Sequence, residues 1–292
     1  MDEIPVSRRD AIRMAAVAGL ALAGGASPAA AAGPAGRRGT LDLGIATYSL
    51  RKLPTEAAIA ALRHMQVTSA SAFRVHLPIL APATPEECRA IAKLFTDAGI
   101  TLASTGVVTL EKSEAAMRHD FECGRAAGLT TMTASYAKPP DREALLMTER
   151  FVREYGIRLA FHNHGPEDAV FPSPYDVWKA VEPYDERMGL CIDVGHSHRA
   201  GVDPAEAIRR CSARLYDLHI KDSLAPAGAK RDIPVVMGHG HLDIRGIMTA
   251  LLDVGYTHQV GLEYEVEELD PVPGVAQSFG YMRGMLAALT TS

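Results

Sequence analysis

Cysteine is the first thing this chain has little of. Its 292 residues hold four, Cys88, Cys123, Cys191 and Cys211, and no two stand in CxxC spacing. That excludes a zinc-ribbon cluster and a dense disulfide framework, and leaves buried structural thiols as the expectation. Basic blocks are missing as well. Thirty Lys and Arg stand against 35 Asp and Glu, a formal net charge of −5, so the footprint of a nucleic-acid or membrane-surface binder is absent. A glycine-rich phosphate turn is also lacking after the first strand-like run, where Ile45-Ala46-Thr47-Tyr48-Ser49 stands instead. A doubly wound open sheet, the main competitor among α/β folds, would want that turn.

The amino terminus carries a positive signal. Ser7-Arg8-Arg9-Asp10-Ala11-Ile12-Arg13 precedes an apolar stretch from Met14 to Ala23 and small residues around Ala30-Ala31-Ala32. A charged segment, a short apolar segment and an AxA-like cleavage site make a signal peptide, and the paired arginines point to the twin-arginine route. Ala11 departs from that pattern, which usually has an aromatic residue there. The apolar stretch is too short for a permanent membrane span. The expectation is a leader over 1–32, a linker over 33–40 and a single domain over 41–292. The mature chain is then periplasmic or secreted, with no membrane contact after cleavage.

From residue 41 onward, strand-length apolar runs alternate with helix-like segments. The runs are 41–50, 68–77, 100–109, 130–137, 157–164, 187–195, 215–222 and 257–265; the helical patterns are 54–66, 84–98, 113–128, 141–155, 173–184, 203–214, 243–254 and 275–289. Thr84-Pro85-Glu86-Glu87 and Asp203-Pro204-Ala205-Glu206 combine a capping residue, an early proline and an acid three residues on. Gly99, Gly128, Gly156 and Gly255 stand where helices should stop. Eight such alternations in about 250 residues predict one (β/α)8 barrel.

Four of the runs end in His, Asp or Glu: Phe161-His162-Asn163-His164, Cys191-Ile192-Asp193-Val194-Gly195-His196, Leu218-His219-Ile220-Lys221-Asp222 and Gly261-Leu262-Glu263-Tyr264-Glu265. Residues at the carboxyl ends of barrel strands converge on one point. His162 and His164 share a face by strand alternation, and Asp193 is a lone acid in an apolar run, costly to bury unless paired or bound to metal. His162, Asp193, His219 and Glu263 are therefore the expected ligands of one divalent ion, Mn²⁺, Co²⁺, Zn²⁺, Fe²⁺ or Mg²⁺. Lys221 is read as a proton donor or oxyanion holder, or equally as half of a salt bridge. Asp222 is read as orienting, and His198 as solvated.

The order and spacing of HNHGPE (162–167), CIDVGH (191–196), AGVDPAEA (200–207), LHIKD (218–222), GHGHLDI (238–244) and GLEYE (261–265) resemble the sugar phosphate isomerase/epimerase family of xylose-isomerase-like barrels. The resemblance covers residue 41 to the end. It implies a metal held by Glu, Asp, His and Glu on successive strands, positions that fall here on His162, Asp193, His219 and Glu263; His162 departs from the common glutamate. A related branch, the barrel-type apurinic endonucleases, binds three zinc ions. His76, His196, Asp232, His239 and His241 fall in similar regions, but no histidine ends the third strand, so a trinuclear site is not expected. His196, His239 and Glu265 are expected to contact substrate.

The resemblance implies carbohydrate carbon-acid chemistry: a base removes the proton beside a carbonyl, and the enediolate collapses to an isomer, an epimer or an elimination product. His164 is the expected proton-transfer group, with His76 second and Lys221 stabilising negative charge, since histidine titrates near neutrality without tuning. The implied partner is a small carbohydrate; keto-glycosides suit an exported protein better than sugar phosphates. A homo-oligomer is compatible with the sequence. The alternatives are a non-catalytic sugar- or metal-binding barrel, and a phosphodiesterase of the apurinic endonuclease type, against which the negative charge argues.

Overall fold

The computed structural model describes residues 39–291. The expected leader and most of the expected linker lie outside the described residues.

Along the chain run β1 (Asp42–Ala46), α1 (Thr55–His64), β2 (Ser69–Ala72), α2 (Pro85–Asp97), β3 (Thr101–Thr105), β4 (Val108–Leu110), α3 (Glu114–Ala126), β5 (Thr131–Tyr136), α4 (Arg142–Tyr155) and β6 (Arg158–His162). There follow α5 (Pro174–Val181), β7 (Met188–Asp193), α6 (Val194–Arg199), α7 (Pro204–Cys211), β8 (Leu215–Ile220), β9 (Asp222–Ser223), β10 (Pro234–Val235), α8 (Ile244–Asp253), β11 (Gln259–Leu262) and α9 (Val272–Thr290). Local chemistry sets the helix ends. Thr84 and Glu87 form a reciprocal capping box on α2, Asp203 accepts from two amides at the start of α7, and Gly156 at φ 67° closes α4.

Nine strands form one parallel sheet in the order β3-β2-β1-β11-β8-β7-β6-β5-β4. Its two ends, β3 and β4, are halves of one bent strand, so the sheet returns to its own starting segment as a nearly closed α/β barrel of eight positions. The break falls at Gly106-Val107, inside the run expected to be continuous over 100–109. A Cβ at Gly106 would lie 2.7 Å from Phe73 Cα, so the close approach of Phe73 is compatible with glycine and not with a side chain. The Thr105 hydroxyl bridges the seam, donating to the Thr133 carbonyl at 3.1 Å and accepting from the Thr133 amide at 2.9 Å.

Around the sheet, Phe95, Phe121, Phe151 and Phe279 on the helices are fully buried together with Phe161 on β6 and Phe171 in the loop after it, and burying such side chains is a main source of hydrophobic stabilisation. One ring pair shows the packing: Phe161 stacks on Tyr136 with centroids 5.4 Å apart. The barrel interior is different. Asp217 on β8 accepts from Ser104 Oγ and Thr133 Oγ1, both at 2.6 Å, and these three groups are buried. This polar plug lies below the carboxyl ends of the strands. All four cysteines are buried and free.

Candidate metal centre

Each candidate ligand stands where its strand stops. His162 ends β6, Asp193 ends β7, His219 is the penultimate residue of β8, and Glu263 follows β11 directly. Parallel register sets Asp193 beside His219, and His219 beside Gly261. One donor atom from each of His162, Asp193, His219 and Glu263 lies within 4.8 Å of the others. Cys191, one step deeper in the barrel, forms a second such group with the two histidines, but burial pushes its thiol up to about 12, so it stays protonated.

The fit to a cation rests on unused lone pairs. Both ring nitrogens of His162, both of His219, and Asp193 Oδ2 are buried without a hydrogen-bond partner. Such orphans cost on the order of 1–3 kcal/mol each, a cost that a bound ion would remove for one nitrogen of each ring and for the carboxylate oxygen. Burial pushes His162 down to about 4, so its imidazole is neutral and can donate a lone pair. A buried lysine, Lys221, stands beside the cluster, with Nζ at 2.7 Å from Glu263 Oε2 and 2.6 Å from Glu265 Oε1. It also lies 3.0 Å from Asp193 Oδ2, without hydrogen-bond geometry. Burial works against ionising Asp193 and Glu263, but the neighbouring His196 and Lys221 hold Asp193, and Lys221 and His219 hold Glu263, well below the usual carboxylate range. Burial also works against a proton on His219, but Cys191 and the Glu263 carboxylate hold its pKa well above the usual histidine range, so a cation bound there displaces that proton. With His219 neutral, Asp193, Glu263 and Glu265 against Lys221 leave a net −2.

The backbone holds these groups in place. Asp193 caps α6 through Oδ1, which accepts from the His196 amide at 2.8 Å, so its other oxygen faces the centre. Asn163 accepts from the Asp193 amide at 3.1 Å. Asp222 is not a ligand: its carboxylate accepts from the Gly238, Gly240 and Leu242 amides at 2.9, 2.9 and 3.3 Å. The glycine-rich segment 238–242 therefore wraps an aspartate.

Above the centre opens a cavity of about 250 Å³, lined on one side by His162, His164, His196, His219, Glu263 and Glu265, and on the other by Tyr48, Phe73, Gly106 and Val107. Tyr48 and Phe73 meet edge to face with centroids 4.8 Å apart. His164 lies beyond the end of β6, yet its ring centroid is 4.7 Å from that of His162. Its Nδ1 pairs with Asp168 Oδ2 at 2.8 Å, and Asp168 is fixed in turn by the Val170 amide at 2.9 Å. An ionised carboxylate only accepts, so Nδ1 carries the proton and Nε2 keeps a lone pair. Asp168 was not singled out in the sequence, although its spacing of four from His164 inside a Gly-Pro loop is a usable signal.

The other expected site residues divide. His196 and Glu265 line the cavity. His76 is fully buried, with Nδ1 at 2.9 Å from Thr47 Oγ1 and Nε2 at 3.1 Å from the Leu53 carbonyl. Both its nitrogens are spent on holding the β1 and β2 loops together, and it is not part of the cavity wall. His239 is exposed, on the segment around Asp222, with Nε2 near Gln277 at 3.3 Å; it too is outside the wall. The aromatic wall and Arg199, a charged side chain only 2% exposed, carry no local sequence signal of their place in the fold.

Comparisons with known proteins agree with this architecture. A family model described as a xylose isomerase-like TIM barrel matches residues 57–285. The rhizopine catabolism protein MocC of Rhizobium meliloti is 29% identical over 125 residues, 38% of this chain and 38% of that protein. An inosose dehydratase of Lacticaseibacillus casei is 25% identical over 142 residues, 44% of this chain and 46% of that protein. The match thus spans less than half the length of these curated relatives. Among solved structures, an IOLI protein with a bound zinc atom superposes with a TM-score of 0.69 at 15% identity, covering 86% of this chain and all of that one.

Proposed function

Since the chain belongs to the xylose isomerase-like TIM barrel family, we propose that it is an exported, divalent-metal-dependent enzyme that removes a proton from the carbon beside the carbonyl of an uncharged keto-sugar or keto-cyclitol. The observation that carries the reading is the His162, Asp193, His219 and Glu263 cluster on the floor of a cavity that also holds a carboxylate-oriented histidine. The relatives named for inosose and rhizopine chemistry support the substrate class.

A bound divalent ion supplies Lewis acidity toward a carbonyl or hydroxyl oxygen. The remaining work falls to side chains. His164 Nε2 takes the carbon-bound proton while Asp168 stabilises the imidazolium through Nδ1, a pairing of base and orienting group. The Lys221 ammonium keeps the acidic floor in balance and favours the negative charge that grows on oxygen. Tyr48, Phe73 and Val107 exclude water and offer an apolar surface to the C–H face of a ring. The cavity wall includes neither arginine nor lysine, so nothing in it is fitted to a phosphate, and its volume suits a monosaccharide. Return of the proton to the neighbouring carbon gives an isomer, and delivery of a solvent proton to the opposite face, with His164 giving its own proton up to water, gives an epimer. Departure of a β-hydroxyl, protonated to water, gives a dehydration product.

Solvent exchange tests the reaction. Metal-loaded protein incubated in D₂O with inosose, ketohexoses and 3-keto-glycosides should wash deuterium into the position beside the carbonyl of its substrate. His164→Ala should lower that exchange by about 10²–10⁴-fold, the usual worth of a positioned acid–base group, while keeping its metal. Product formed without exchange would remove proton abstraction, and binding with neither product nor exchange would favour a non-catalytic barrel. Export rests on the paired arginines Arg8-Arg9 and the Ala30-Ala31-Ala32 segment. The native protein should lack about the first thirty residues by mass spectrometry; Met1 retained would contradict export.

A further inference from the structure

Helix α6 carries His196 in its first turn and Arg199 at its last position. The Arg199 side chain is buried, and its guanidinium is held on several sides. Nη1 donates to Glu167 Oε2 at 2.9 Å and to the Ala229 carbonyl at 3.1 Å, and Nη2 donates to Glu167 Oε1 at 2.8 Å. Nη2 also lies 2.8 Å from His196 Nδ1. Gly165 makes room for this arrangement, because a Cβ there would stand 2.3 Å from Nη2. The Gly165-Pro166-Glu167 segment therefore has a role that the metal centre does not use: it seats an arginine against the back of a histidine.

That contact fixes more than position. A guanidinium has donors only and does not release its proton in proteins, so His196 Nδ1 must be the acceptor. A neutral ring with a lone pair on Nδ1 carries its one proton on Nε2. The His196 ring lines the cavity, with centroids 5.8 Å from His162 and 5.6 Å from His164, and its Nε2 is 3.9 Å from Asp193 Oδ2. An N–H edge can neither take a proton from carbon nor bind a cation, but it can donate to an oxygen.

We propose that Arg199 is a positioning residue that, seated by Glu167 and Gly165, locks His196 as the Nε2–H tautomer, so that His196 presents a fixed hydrogen-bond donor to an oxygen in the cavity and is barred from serving as a fifth metal ligand or as the base. The tautomer stands independently of the proposed reaction, and only the identity of the oxygen it meets rests on that reading. A lysine at 199 would reach the ring with one donor but could not grip Glu167 through two.

The test is the nitrogen spectrum of the full chain labelled with ¹⁵N-histidine, with the His196 signals assigned by loss in His196→Gln. In the wild type, Nδ1 should show the shift of an unprotonated nitrogen and Nε2 that of a protonated one, unchanged from about pH 6 to 8. Arg199→Met should give a mixture of tautomers, and Arg199→Lys should restore part of the wild-type pattern. One equivalent of Zn²⁺ should move the His162 and His219 signals and leave His196 Nε2 protonated. A proton on Nδ1 of wild-type His196, or a metal-bound shift at its Nε2 with zinc, overturns the proposal, and so does a wild-type pattern in folded Arg199→Met. The wild-type spectrum decides even if Arg199→Met does not fold. Should zinc move none of the three histidines, the metal reading fails while the tautomer result is still read.

Discussion

His162 departs from the glutamate that the family resemblance implies at its position, and the exchange has physical consequences. An imidazole brings a neutral donor, so the charge on the centre depends on Asp193, Glu263, Glu265, Lys221 and the proton on His219. Burial holds His162 down at about 4, against about 6.5 in an unfolded chain. Between those values the unfolded state binds the extra proton, so the contribution of His162 to stability is full above about pH 6.5 and is lost as pH falls toward 4. The upper limit of that loss is about 3 kcal/mol. In chelator, the stability of wild type relative to His162→Gln should therefore fall between pH 7 and 4.5, as read by urea unfolding. A difference that is flat with pH would place His162 in water rather than in a dry pocket. The candidate ligands were legible because each ends an apolar run, and an acid or histidine there has few inexpensive explanations. The partners that aim them were not: Arg199 reads as a surface helix residue until Gly165 and Glu167 fold over it, and Asp168 reads as a loop acid until His164 turns toward it.

At the level of strands and helices, periodicity located all eight barrel positions but ran past their ends. The runs expected over 41–50, 187–195 and 257–265 overrun their strands: the chain forms a 3-10 turn over 47–50, begins helix α6 at Val194 and passes into a loop at Glu263. The reason is that alternation records which way side chains face, and facing persists after the hydrogen-bonded ladder has stopped. Residue 193 shows a second cause, since an aspartate that ends a strand is also a good helix cap, and α6 starts on it. The break between β3 and β4 depends on how closely Phe73 approaches Gly106, a tertiary fact that no local pattern encodes. That seam makes a specific prediction. Thr105→Val keeps the shape of the side chain but leaves the Thr133 amide and carbonyl without the hydroxyl that serves both. The cost of two such unmet groups is on the order of 2–4 kcal/mol, measurable as a lower denaturation midpoint with an unchanged slope. A change under about 0.5 kcal/mol would mean that β3 and β5 are held together by packing alone.

For the whole molecule, the barrel works as a support that brings groups distant in sequence to one spot and stores polar strain there. The plug of Asp217, Ser104 and Thr133 below, the aromatic wall beside and the acidic floor are the features on which the proposed divalent-cation site rests. Binding to the folded state alone raises stability by RT ln(1 + [M]/Kd), about 2.7 kcal/mol at one hundred times Kd. For a domain of this size that shifts Tm upward by about 5–10 °C, and Asp193→Ala should show no such shift. The most direct measurement of the central claim is the metal content of purified, full-length protein, wild type beside Asp193→Ala and Glu263→Gln, after equilibration with one divalent metal and removal of the excess. The account predicts one ion per chain in the wild type and close to none in Asp193→Ala, with both proteins folded by circular dichroism. A wild-type protein that retains no ion under these conditions, or a folded Asp193→Ala that still holds one, would contradict it.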